Sequence, residues 1–115
     1  MLNKMNFIET ENEKYPLMFT LNVMEKIQEE YGSIEKWSNL VQKEGEPDIK
    51  ALKFFITEAI NEGIEIENEK TGEKKKPITL KKSGRILTEV GLSGAANTIM
   101  ETITSSVSPE DSEKN

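Results

Sequence analysis

A chain of 115 residues carrying a formal charge of −6 has room for one domain and one core, and its modest apolar content leaves few side chains to spare. It has neither Cys nor His, which excludes disulfides, thiolate metal sites and cysteine nucleophiles and removes the usual neutral-pH general base. The longest apolar runs, at 51–52 and 54–56, are far short of a membrane span, and residues 1–7 hold no apolar stretch of signal-peptide length, so a cytosolic protein is expected.

In chain order, residues 6–10 (NFIET) and 15–19 (YPLMF) flank the polar ENEK and read as a β-hairpin. Alternation places Tyr15, Leu17 and Phe19 on one face and Met18 on the other. Pro16 lacks a donor, which places its strand at an edge or leaves it to pair only on its other side. Such a ribbon needs helices to cover it. Asn22, with Glu25 three residues on, offers a capping-box start to a first helix whose stripe is Val23, Met24, Ile27 and Tyr31, and Gly32 ends it. Ser33 caps a second helix carrying Ile34, Trp37, Leu40 and Val41. Pro47 and Asp48 mark the start of a third, with the stripe Ile49, Leu52, Phe55, Ile56, Ala59 and Ile60 and with Gly63 as its stop.

Residues 64–77 (IEIENEKTGEKKKP) read as an exposed loop, with a short strand at Ile64 and Ile66 as the alternative. Thr79 caps a fourth helix with Leu80, Ile86, Leu87 and Val90 inward; its mid-helix Gly84 points to a close helix crossing, and Gly91 ends it. Ser93 caps a fifth helix with Ala96, Ile99, Met100, Ile103 and Val107 on one face. Residues 108–115 are polar and acidic and are expected to be disordered. The fold class is therefore α+β, mostly α: an N-terminal hairpin and about five short helices in one domain over residues 1–107.

Charge is unevenly placed. Lys74, Lys75, Lys76, Lys81, Lys82 and Arg85 fall within KKKPITLKKSGR, which has no acidic residue, so this segment is +6 and the rest of the chain −12. Followed by a helix, a Gly-Leu-Ser turn and another helix, it has the outline of a helix-turn-helix with phosphate-binding lysines. The second helix, however, carries no Lys, Arg or Gln between 94 and 107, leaving base readout to Asn97 and a few hydroxyls. DNA binding is the runner-up reading. Catalysis has less support: there is no paired-Asp spacing or phosphate loop, and the alternating Glu65 and Glu67 are what a chain with 21 acidic residues shows by default. Trp37 reads first as a core or lid residue. Met18, Met24 and Met100 read first as core, although methionine also suits surfaces that hold varied apolar segments.

The segment YPLMFTLNVMEKIQEEYGSIEKW resembles the start of the tail assembly chaperones of long-tailed bacteriophages and related gene-transfer agents. In that family a strand of the type Leu-x-Phe/Tyr-Thr/Gly-Leu/Ile runs directly into a helix beginning Asn-x-x-Glu and ending Glu-Glu-x-Leu/Tyr-Gly. Leu17, Phe19, Leu21, Asn22, Glu25, Ile27, Tyr31 and Gly32 match, and the pair Glu29–Glu30 stands one residue nearer the glycine than in the family. Further on, Thr79, Arg85, Ile86, Leu87, Glu89, Val90, Gly91 and Leu92 match a Thr-led helix closing on an Arg-Ile/Met-Ile/Leu-x-Glu-Val/Ala-Gly-Leu turn. Lys81 and Lys82 depart from the acidic or neutral residues common there.

The resemblance spans most of residues 5–104. It implies a cytoplasmic, non-enzymatic and cofactor-free morphogenesis factor that binds the tape-measure protein and helps recruit tail-tube subunits; residues 108–115 are where the frameshifted extension often made in the family would attach. A holder of apolar helices needs a charged exterior and one accessible apolar strip. That strip is expected between the hairpin and the later helices, with Met18 and Trp37 near its rim and Lys81, Lys82 and Arg85 on the partner surface. Oligomeric state stays open.

Overall fold

The computed structural model describes residues 5–107. Strands β1 (Asn6–Glu9) and β2 (Lys14–Leu17) form an antiparallel hairpin in which Phe7 faces Pro16 and Ile8 faces Tyr15. Thr10 closes its loop: its N–H donates to the Glu13 carbonyl at 2.8 Å, and its hydroxyl accepts the Glu13 N–H at 3.2 Å. Five helices follow: α1 (Leu21–Tyr31), α2 (Ile34–Val41), α3 (Ile49–Thr71), α4 (Leu80–Val90) and α5 (Leu92–Val107). This is the expected α+β, mostly α, arrangement. Among the described residues no helix is long and apolar enough to cross a membrane.

Three of the expected caps form. The side chains of Ser33, Asp48 and Thr79 each accept a backbone N–H three residues on, opening α2, α3 and α4. Gly32 and Gly91 end their helices at φ of 95° and 93°. Asn22 does not cap α1. The helix starts after Thr20, and both polar side chains are drawn to α3 instead: Thr20 Oγ1 and Asn22 Nδ2 donate to Glu62 Oε2 at 2.6 and 3.1 Å.

The largest difference from the sequence reading lies in α3. Gly63 does not stop it, and the segment after it is neither loop nor strand as far as Thr71, where Gly72 at φ 81° supplies the C-cap. The apolar stripe simply continues: Ile60, Gly63 and Ile64 are buried, and Glu- and Lys-rich helix-forming residues follow. Gly63 is there for space. A Cβ at this position would meet Pro16 Cβ at 2.8 Å and the Pro16 carbonyl carbon at 3.1 Å, so β2 lies almost directly on the α3 backbone. The Met18 N–H, extending that strand, donates to the Ala59 carbonyl at 3.1 Å. Both faces of residues 15–19 are consequently buried, and the expected two-sided alternation is lost.

Gly84, in contrast, marks no close helix crossing. A Cβ there would touch only the flexible end of Lys53, at 3.6 Å. In α5, Ser93 does not cap; the Ala95 N–H donates to the Gly91 carbonyl at 3.0 Å and the helix begins at Leu92. Its inward residues are Ala95, Ile99 and Thr102, with Ala96, Met100 and Ile103 half-buried beside them. Of the expected features, the side chain of Val107 and residues 108–115 lie outside the described residues.

The centre of the core is a run of three rings. Phe55 of α3 stacks on Phe19 from the hairpin at 5.9 Å and on Trp37 of α2 at 5.1 Å. Beside it, α3 and α4 share one buried polar contact, Thr57 Oγ1 to Ser83 Oγ at 2.6 Å. Thr57 donates its only hydroxyl hydrogen to the Lys53 carbonyl at 2.8 Å, so Ser83 must be the donor between the two. Thr57→Val would strip Ser83 of this acceptor in a fully buried site, and should cost about 1–2 kcal/mol. Ser83→Ala leaves the Thr57 donation intact and should cost about 0.5–1 kcal/mol. Urea unfolding of the two variants measures this order directly.

Candidate partner-binding surfaces

Met18 and Trp37 are not at a rim. Trp37 is 0% exposed, its ring stacked on Phe55 and its Nε1–H donated to the Ala51 carbonyl at 3.0 Å, and Met18 is 6% exposed beneath the hairpin. Both are core residues. The cause is the first half of α3: Ala51 and Phe55 meet Trp37, and the Ala59 carbonyl meets the Met18 N–H, which fills the space where an apolar groove was expected.

An apolar groove does exist elsewhere, of about 250 Å³, where the start of α3 meets the α4–α5 corner. Ile49, Leu87 and Leu92 form its apolar walls, and Gly84 and Gly91 contribute no side chain to fill it. Ile49 and Leu92 are the first residues of α3 and α5, a position where Pro or an acidic residue is usual and where an apolar one gains nothing for the helix itself. Ile49 is 47% exposed, and Leu80 and Leu21, the first residues of α4 and α1, are 53% and 78% exposed. Ile49 and Leu80 were expected to point inward. The strong amphipathic stripes hid this, since helical spacing cannot tell a buried first turn from an open one.

The basic residues form two groups. Lys81 and Arg85 are exposed on α4 and Lys82 is half-buried; Lys82, Arg85 and Glu89 of α4 line a small cleft of about 140 Å³ against the hairpin loop, which contributes Glu13. Glu89 also accepts the Glu11 N–H, which ties α4 to the hairpin. Lys74, Lys75 and Lys76 lie on an exposed, extended strap, residues 73–79, between α3 and α4. The helix-turn-helix outline changes as well: Leu92 and Ser93 belong to α5, so the two helices are joined by Gly91 alone instead of the three or four residues such a motif uses.

Two asparagines unremarked in the sequence hold the strap. Asn61 pairs with both backbone groups of Ile78, its Nδ2 donating to the carbonyl at 3.1 Å and its Oδ1 accepting the N–H at 2.7 Å. Asn68 does the same for Lys75, at 3.0 and 3.1 Å. Seven residues of α-helix rise about 10 Å. Three residues of extended chain cover about 10 Å too. The strap therefore runs antiparallel to α3 with the two pairings in register. Their spacing of seven on one helix face was visible in the sequence, but the groups they bind were not.

Between α1 and α3 lies an open acidic trough of about 280 Å³, lined by Glu25, Lys26, Glu58, Asn61, Glu62 and Glu65 among others. Glu65 and Glu67, read as alternating on a strand, are on α3. Among the described residues no group of three or more acidic side chains is arranged to hold a metal ion.

Comparison with protein-family models, with curated proteins and with solved structures returns no match for this chain.

Proposed function

We propose that this protein is a binding protein without catalysis, a tail assembly chaperone that holds the apolar helical tape-measure protein of a long-tailed phage and helps bring tail-tube subunits to it. Two things support the reading. One is the resemblance carried by residues 17–32 and 79–92. The other, which carries it physically, is the groove of Ile49, Leu87 and Leu92 on a surface otherwise dominated by charge. An apolar helix laid there would bury the exposed first residue of α3, and the surrounding Glu and Lys residues keep the loaded complex dispersed.

The groove has moved from where the sequence placed it, and the role assigned to Met18 and Trp37 moves with it: they hold the scaffold, and Ile49 and Leu92 make the contact over the buried Leu87. Lys81, Lys82 and Arg85 are then candidates for a tail-tube contact, since they flank α4 away from its apolar side.

Co-expression of a tape-measure fragment with and without this protein tests the reading. The fragment is expected to move into the soluble fraction and to co-purify with the chaperone. A fragment that remains equally insoluble in both cultures rejects the function. A mobility shift on duplex DNA that weakens as salt rises would instead support the regulator reading.

A further inference from the structure

The charged surface is almost unpaired. Among the described residues the only ion pair within 4 Å is Lys75–Glu73 at 3.9 Å, with both side chains more than half exposed. Such a pair contributes little. Lys74, Lys76 and Lys81 have no carboxylate within that distance, although acidic residues outnumber basic ones, 21 to 15.

The Asn61 and Asn68 pairings explain the segregation. They fix the strap extended along α3, so that Lys74, Lys75 and Lys76 sit level with Asn68 at the C-terminal end of the helix. The acidic trough extends along α3 from Glu58 through Asn61 and Glu62 to Glu65, with Glu25 across from them, and so ends about one turn short of Asn68. A basic ridge and an acidic trough thus adjoin along one helix, their centres offset, the ridge about Asn68 and the trough about Asn61.

Adjoining patches of opposite sign are self-complementary under a two-fold rotation. We propose that two copies of this chain associate about such an axis, with α3 helices antiparallel and the strap lysines of each copy lying across the acidic trough of the other. Preorganisation by the asparagines means that the ridge binds without first ordering a loop. With exposed charges supplying most of the attraction, the dimer is weak, and it dissociates as the screening length falls from about 10 Å at 0.1 M salt to about 3 Å at 1 M. This surface is separate from the apolar groove and stands or falls independently of the chaperone reading.

Sedimentation equilibrium of the full chain tests it. The wild type is expected to be dimeric at low salt and monomeric at 1 M salt. Lys74→Glu/Lys75→Glu/Lys76→Glu and Glu58→Lys/Glu65→Lys should each weaken association at least about tenfold. Mixing the two variants should restore a mixed dimer, because each then presents the sign the other lacks. Glu62 is left intact in both, since it accepts from Thr20 and Asn22.

Asn61→Ala/Asn68→Ala removes no charge and should still weaken the dimer several-fold. Circular dichroism of each variant confirms the fold. The proposal is overturned by a wild type that is monomeric at all concentrations and salts, by reversed variants that associate as the wild type does, or by a mixture that stays monomeric.

Discussion

Phe55→Ala should destabilise the domain by about 3–5 kcal/mol. Phe55 is fully buried and stacks on both Phe19 and Trp37, so its ring joins the hairpin, α3 and α2 at one point. Losing it leaves a cavity bounded by two aromatic faces that cannot both collapse into it. Against a total stability of about 5–15 kcal/mol, this is enough to leave a sizeable unfolded population. Thermal melts should show a fall of roughly 12–20 °C. Phe55→Leu keeps much of the volume and should cost distinctly less. If Phe55→Ala melts within a few degrees of the wild type, the three-ring centre is not what holds the layers together.

Gly63→Ala is expected to destabilise by about 2 kcal/mol, against the usual direction for glycine in a helix. Helix propensity alone would favour alanine by about 1 kcal/mol. The added methyl, however, would stand 2.8 Å from Pro16 Cβ and 3.1 Å from its carbonyl carbon. A proline ring has little freedom to yield, and its strand is fixed by the Met18–Ala59 hydrogen bond, so the hairpin must lift away from α3. Gly84→Ala is the matched control. Its methyl would meet only the mobile end of Lys53, so propensity should win and stability should rise by up to about 1 kcal/mol. Opposite signs in urea unfolding are the expected outcome; equal signs would mean that one of these two contacts has been misjudged.

The same two glycines show where reading from sequence stops. A glycine inside an apolar period can mean an end, a close approach or nothing, and spacing does not distinguish them. Spacing alone makes Gly63 a stop and Gly84 a crossing, yet the close approach is at Gly63, because Pro16 arrives there from another part of the chain. Local chemistry fared better. Ser33, Asp48 and Thr79 cap through their own side chains, and Gly32 and Gly91 end helices through their own backbone. None of these depends on a distant partner. Asn22 failed as a cap because Glu62 competed for it from α3.

The candidate surfaces follow the same division. The basic segment was plain in the sequence, since charge needs no tertiary context to be counted. Its latch was not, because Asn61 and Asn68 acquire a role only once the strap folds back on α3. Residue type reads Trp37 and Met18 first as core, and they are core; the rim position came from the expected groove, whose space Ala51, Phe55 and Ala59 of α3 fill. Ile49 was assigned inward on spacing and turned out to open the groove.

The most direct measurement is light scattering by an apolar tape-measure helix in the presence of wild-type protein or of Ile49→Glu. The substitution puts a carboxylate into the groove and also supplies the acidic first-turn residue that α3 lacks, so the fold should be as stable as before or slightly more. Wild type is expected to suppress the scattering at near-stoichiometric amounts, and Ile49→Glu to lose that ability while melting no lower. Suppression by the variant equal to that of the wild type, or by neither protein, would contradict the groove as the holding site.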